Sequence, residues 1–235
     1  MTKKGKFGEA AWALGMIILT LAVCLMTKAG FGVSMVVSPA YVIHLALVKV
    51  WPWYTFGTSE YILQGVFLII MCLIVRRFRW QYLLSFAAAV IYGFLLDGWF
   101  LLLGGEGFTE LYARVTAFCA GIILTGISVA LFFRTYLPIE VYDLFVTEVS
   151  ARYNVKTGII KWIYDLSMLA VAVVLTLVFN GGLVGIGAGT AICAAVNAPI
   201  ITLFGKLFDK FIRFDPLFPP LARVLKGKEA KAGEE

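Results

Sequence analysis

Pro138-Ile139-Glu140-Val141-Tyr142-Asp143-Leu144-Phe145-Val146-Thr147-Glu148 is the stretch on which the reading of the fold turns. It follows a long apolar run, is too short to cross a bilayer, and sets three acids against a membrane. A counterpart, Gly32-Val33-Ser34 through Val50, follows the first apolar run. Short, interrupted segments in matching positions of two halves point to a transporter's binding site. Irregular backbone at membrane depth is tolerated where it lines a cavity.

The composition around this pair is that of an integral membrane protein. The 235 residues are 61% hydrophobic and 14% charged, against about 25% charged in soluble domains, and the mean hydropathy is +0.92. Charge gathers at the ends, in Lys3, Lys4 and Lys6 and in Lys226 to Glu235. The net charge of +6 implies no nucleic-acid partner, because cationic ends beside a bilayer reflect orientation and anionic lipid. The run Ala10–Ala29 has the basic flank of a signal peptide but no small-x-small cleavage site, so it reads as a retained helix. Cys24, Cys72, Cys119 and Cys193 lie in four different runs without metal-ligand spacing and read as small core residues.

Six runs reach the roughly 20 residues that a transmembrane helix needs: Ala10–Lys28, Thr58–Val75, Tyr82–Leu103, Thr109–Arg134, Thr157–Phe179 and Leu183–Gly205. With Gly32–Val50 and Pro138–Tyr153 left uncrossed, Lys3–Lys6, Arg76–Arg79, Arg134–Lys156 and Lys206 onward share one side. The positive-inside rule makes that side cytoplasmic, with both termini on it. Trp51, Trp53 and Tyr54 then fall at the outer interface.

Three crossings per half invert one half relative to the other. The expected fold is therefore all-α, six transmembrane helices as two inverted three-helix repeats, each with a short re-entrant or interfacial helical segment. The repeats occupy residues 10–103 and 109–212, between cytoplasmic tails 1–9 and 213–235. Gly32 and Pro138 open the short segments 106 residues apart (138 − 32). Gly30-Phe31-Gly32 permits a sharp turn, and Ser38-Pro39 interrupts the segment beyond it. Pro138 is placed to begin a helix, with Glu140 near its positive end. In that helix Val141, Leu144, Phe145 and Val149 form an apolar face, and Glu140, Asp143, Thr147 and Glu148 point more to the other. The bland alternative is an amphipathic connector with its acids in water.

A charge inside a span suggests a function. Asp165 qualifies, although Lys161 one turn earlier offers a purely structural pair. Asp97 suits an outer-interface role or a pocket. Gln64 and Asn197 are mid-span amides that seek partners across helices. Asn197-Ala198-Pro199 reads either as a kink or as a carbonyl lining a cavity. His44 is either a proton switch or incidental. Gly181-Gly182-Leu183-Val184-Gly185-Ile186-Gly187-Ala188-Gly189-Thr190 lacks the strand and Lys-Ser/Thr of a phosphate loop. Close helix approach through small residues explains it better. No hydrolytic constellation, metal site or cofactor motif stands out, so no enzyme is expected.

The chain resembles the YczE/YitT-like family of small bacterial membrane proteins. The resemblance rests on Ala29-Gly30-Phe31-Gly32-Val33-Ser34 with Ser38-Pro39-Ala40-Tyr41, Phe56-Gly57-Thr58 with Glu60-Tyr61, Gly93 to Asp97, and Gly185-Ile186-Gly187-x-Gly189-Thr190. Leu137-Pro138 with Asp143, Lys161 and Asp165 fits as well, whereas Asn197-Ala198-Pro199 replaces a glycine of the relatives. The resemblance implies a multi-pass inner-membrane protein with a transport role and names no substrate.

The expectation is a secondary transporter whose small-molecule substrate is bound by Asp143, Asp165, Glu140, Ser34, Ser38, Gln64 and Asn197. Asp165, Asp143 and Asp97 are candidates for a coupling proton. The lipid bilayer is the other partner, and a homodimer is an allowed assembly. The rival readings are a substrate-binding module of an energy-coupled vitamin importer, docking through Ala194/Ala198, and a non-transporting scaffold or regulator.

Overall fold

The structure is a computed structural model that describes residues 4–5, 8–138, 140–211 and 213–214. Ile139 and most of the two expected tails lie outside the described residues. Among the described residues the helices are α1 (Gly8–Ala29), α2 (Ser38–Leu47), α3 (Phe56–Val75), α4 (Trp80–Leu103), α5 (Leu111–Phe132), α6 (Val141–Tyr153), α7 (Thr157–Asn180) and α8 (Ala188–Phe211). Two-residue strands β1 (Lys4–Gly5) and β2 (Arg213–Phe214) pair in parallel. Six helices, all but α2 and α6, are long and apolar enough to cross a membrane. The protein is an all-α multi-pass membrane protein. The β1–β2 pairing brings both ends of the described chain together.

Helix ends follow local chemistry. The Thr55 hydroxyl accepts from the Thr58 amide and caps α3. Arg76, Asn154 and Gly181 close α3, α6 and α7 in the left-handed conformation. Gly181 and Gly185, with φ of 68° and 78°, also keep the chain out of a helix until Ala188. The last span therefore starts five residues later than the expected Leu183. Its glycine run is mostly a loop and less of a helix seam than expected. The Gly189 amide donates to Phe31 O at 2.9 Å, and the Val33 amide donates to Gly185 O at 3.1 Å. A Cβ at Gly32 would lie 2.7 Å from the Gly187 nitrogen, so this contact between loops needs glycine.

The packing follows an exchange of halves. Helix α1 lies on α5 along most of its length, α1 packs on α4, and α5 packs on α8. The short helices cross over, α2 onto α7 and α6 onto α3, while α2 also touches α3 and α6 touches α7. Two correspondences fail. The α4–α6 contact has no match between α8 and α2. Helices α3 and α4 pack tightly, but α7 and α8 barely meet.

Helix α6 departs from the expected form in two respects. It begins at Val141, three residues after Pro138, whose carbonyl instead accepts from Trp12 Nε1 at 3.1 Å. It also buries Val141, Tyr142, Val146 and Ser150, while Leu144, Phe145 and Val149 pack on α3 and α4. Two faces are covered, so it is no surface connector. Glu148, expected on the polar face, accepts from Tyr82 Oη at 2.8 Å and pairs with Arg79 at 3.4 Å. Cys24 and Cys193 are core residues as expected, whereas Cys119 is exposed on α5.

Candidate functional site: a charged cavity between the halves

The weak α7–α8 contact leaves room. A cavity of about 340 Å³ is lined by α1, residues 33–37, α4, α5, α6, α7 and α8. Leu19, Val23, Met26, Val129 and Phe133 give it an apolar wall. Its polar groups come from Ser34, Tyr92, Thr125, Glu140, Tyr142, Asp143, Lys161, Asp165 and Asn197. An apolar chamber with a few convergent polar groups is the usual form of a small-molecule site, and this volume lies near the lower end of the roughly 300–1,000 Å³ range.

The centre is an ion triad. Lys161 and Asp165 stand one turn apart on α7 and pair at 3.1 Å, as their spacing leads one to expect. Asp143 approaches the same ammonium from α6 at 3.6 Å. All three side chains remain partly exposed, toward the cavity they line. Two carboxyl groups share one amine. Asn197 adds a buried Oδ1 without a hydrogen-bond partner.

Glu140 stands just before α6, with Oε1 buried and unpartnered. Burial, then the charges of Glu60 and Asp143, push its carboxyl well above the usual range, with Lys161 acting the other way. Of the polar face, Glu140 and Asp143 line the cavity, Glu148 is held by Tyr82 and Arg79, and Thr147 alone is exposed, so the alternative of a connector with its acids in water does not describe α6.

The other expected site residues lie outside the lining. Ser38 is fully buried, and its hydroxyl donates to Ser34 O at 2.7 Å. Gln64 is fully buried behind α6, where its Oε1 accepts from the Val141 amide at 3.0 Å. It thereby satisfies one orphan donor at the α6 N-terminus. Asp97 accepts from Thr55 Oγ1 at 2.6 Å and from the Gly57 amide at 2.8 Å, which latches α4 to the start of α3. His44 of α2 stacks on Phe56 of α3 and is not among the cavity-lining residues. Ala194 and Ala198 line the cavity.

Sequence reasoning missed Glu60 as a site residue. It is fully buried on α3, accepts from Tyr142 Oη at 3.0 Å, and has an unpartnered Oε1. The available signal was Glu60 and Gln64 at i and i+4, two polar groups on one face of an apolar helix with no basic residue beside them.

A multi-pass helical membrane protein with a charged internal chamber is the class these features define. The model for DUF6198, a family of unknown function, matches residues 8–206, and the chain belongs to that family. No curated protein and no solved structure matches the chain.

Proposed function

We propose that this protein is a secondary transporter for a small organic solute bearing an amine, a zwitterion above all. The observation that carries this reading is the Asp143–Lys161–Asp165 triad lining a chamber between the two halves. A solute ammonium competes with Lys161 for the two aspartates. A solute carboxylate then takes the Lys161 ammonium so released. The two exchanges together leave no buried charge unpaired, which is the condition for passing an ion through an apolar interior and the reason a zwitterion suits the site. The resemblance to the YczE/YitT-like family and the paired short helices support transport. The basic residues on the side of the termini support a bacterial inner-membrane protein with both ends cytoplasmic.

A thermal-shift screen of the purified protein against amines, amino acids, vitamins and nucleosides tests the reading. A solute at about 100 times its Kd stabilises the native state by about 2.7 kcal/mol. The expected result is a saturable rise in Tm that disappears in Asp143→Asn and Asp165→Asn. A Tm unmoved by every solute favours the scaffold reading.

A further inference from the structure

Beneath the cavity floor lies a second polar group of residues that the triad does not use. Ser59, Glu60 and Gln64 of α3 are all buried to 1% exposure or less. Ser59 Oγ, Glu60 Oε1 and Gln64 Nε2 have no hydrogen-bond partner. An unpartnered ionised carboxylate in a membrane interior is too costly to persist. The Glu60 carboxyl has the Tyr142 hydroxyl on one oxygen, the Gln64 amide as its polar neighbour one turn along α3, and no ion pair with a described cation. Tyr142 reaches the cavity lining. Glu60 is thus one hydrogen bond from the chamber without touching it.

We propose that Glu60 is a proton-binding site that exchanges its proton with the cavity through Tyr142. The proposal deepens the transporter reading by assigning the coupling proton to a residue apart from the solute-binding triad. In the structure the Tyr142 hydroxyl donates to Glu60 Oε2; on release that hydroxyl turns to accept the carboxyl proton and gives its own proton to water in the cavity. Glu60 becomes a carboxylate, Tyr142 stays neutral, and the water becomes hydronium. Reloading runs in the opposite direction. The groups facing this event are Tyr142 of α6, Glu140 before it, Tyr92 of α4 and Tyr164 of α7. From α2, His44 stacks on Phe56, one turn before Glu60. The cation already in the chamber is Lys161 of α7, which lies over the Tyr164 ring and is paired with Asp143 and Asp165, so separating a proton from Glu60 is favoured when a further positive charge enters and those aspartates no longer offset both. An incoming ammonium supplies it. Solute entry and proton release are linked on this account.

Infrared spectroscopy of the full chain in lipid vesicles tests the site without any solute. The wild type is expected to show a protonated-carboxyl band that is lost in Glu60→Gln and disappears as pH is raised. Its isotope shift in D2O is expected to be slower in Tyr142→Phe. The Glu140→Gln protein identifies the band of the other buried carboxyl. If Glu60→Gln does not fold, Glu60→Asp must move the band. A band that survives removal of Glu60, that does not titrate, or that exchanges equally fast in Tyr142→Phe overturns the proposal. A chain that binds no amine can still pass this test, and one that binds amines can still fail it.

Discussion

Asp143 acquires its place only when α6 docks. The Lys161–Asp165 pair was legible because both residues share one helix at i, i+4 spacing. The third member was not, since the 3.6 Å approach of Asp143 depends on how two helices meet. Asp97 was ambiguous for the same reason, and Thr55 and the Gly57 amide explain its burden as structural. The glycines beside it give a prediction at this scale. A Cβ at Gly57 would stand 2.1 Å from Gly93 O and 2.6 Å from Asp97 Oδ2, both fixed by the α3–α4 crossing. Overpacking of this kind costs about 1–3 kcal/mol. Gly57→Ala is expected to lower Tm in detergent and to leave solute selectivity unchanged. An unchanged Tm would mean that α3 and α4 are not held at this crossing.

At the scale of elements, six apolar runs gave six helices, because periodic satisfaction of backbone in lipid leaves little choice. The short segments were harder. Hydrophobic spacing on Pro138–Tyr153 suggested one apolar face, but α6 packs on α3, α4 and α7 together. Of the polar residues on its other side, Glu140, Asp143 and Glu148 are therefore held inside the protein, and Thr147 is exposed. The tether to α4 runs through Glu148, held by Tyr82 and Arg79. A hydrogen bond to a charged group contributes about 1.5–3 kcal/mol. Tyr82→Phe is expected to speed hydrogen exchange across Val141–Tyr153 while α1 and α5 keep their protection. Uniform acceleration over all helices, or no change in α6, would show that this bond does not fasten the segment. The start of α8 was misplaced because glycine run and helix run are alike in hydropathy. Only the positive φ of Gly185 separates them.

At the scale of the whole molecule, the two halves share an order of elements but not a full set of contacts. Matching helices start at equal offsets in the first two positions, α5 against α1 (111 − 8 = 103) and α6 against α2 (141 − 38 = 103). The α3–α4 pair is closed, and its counterpart, α7–α8, is parted around the chamber. On the proposed transporter reading, the parted α7–α8 pair leaves room for one repeat to rock against the other. The most direct measurement is the accessibility of a single cysteine in the chamber. Asn197→Cys, with Cys24, Cys72, Cys119 and Cys193 replaced by Ala, would be treated in sealed vesicles with a membrane-impermeant thiol reagent from each side in turn. A transporter exposes its chamber alternately, so labelling is expected from both sides, with solute protecting the site. Labelling from one side only would contradict transport and match a one-sided receptor, such as a module that hands its ligand to another complex.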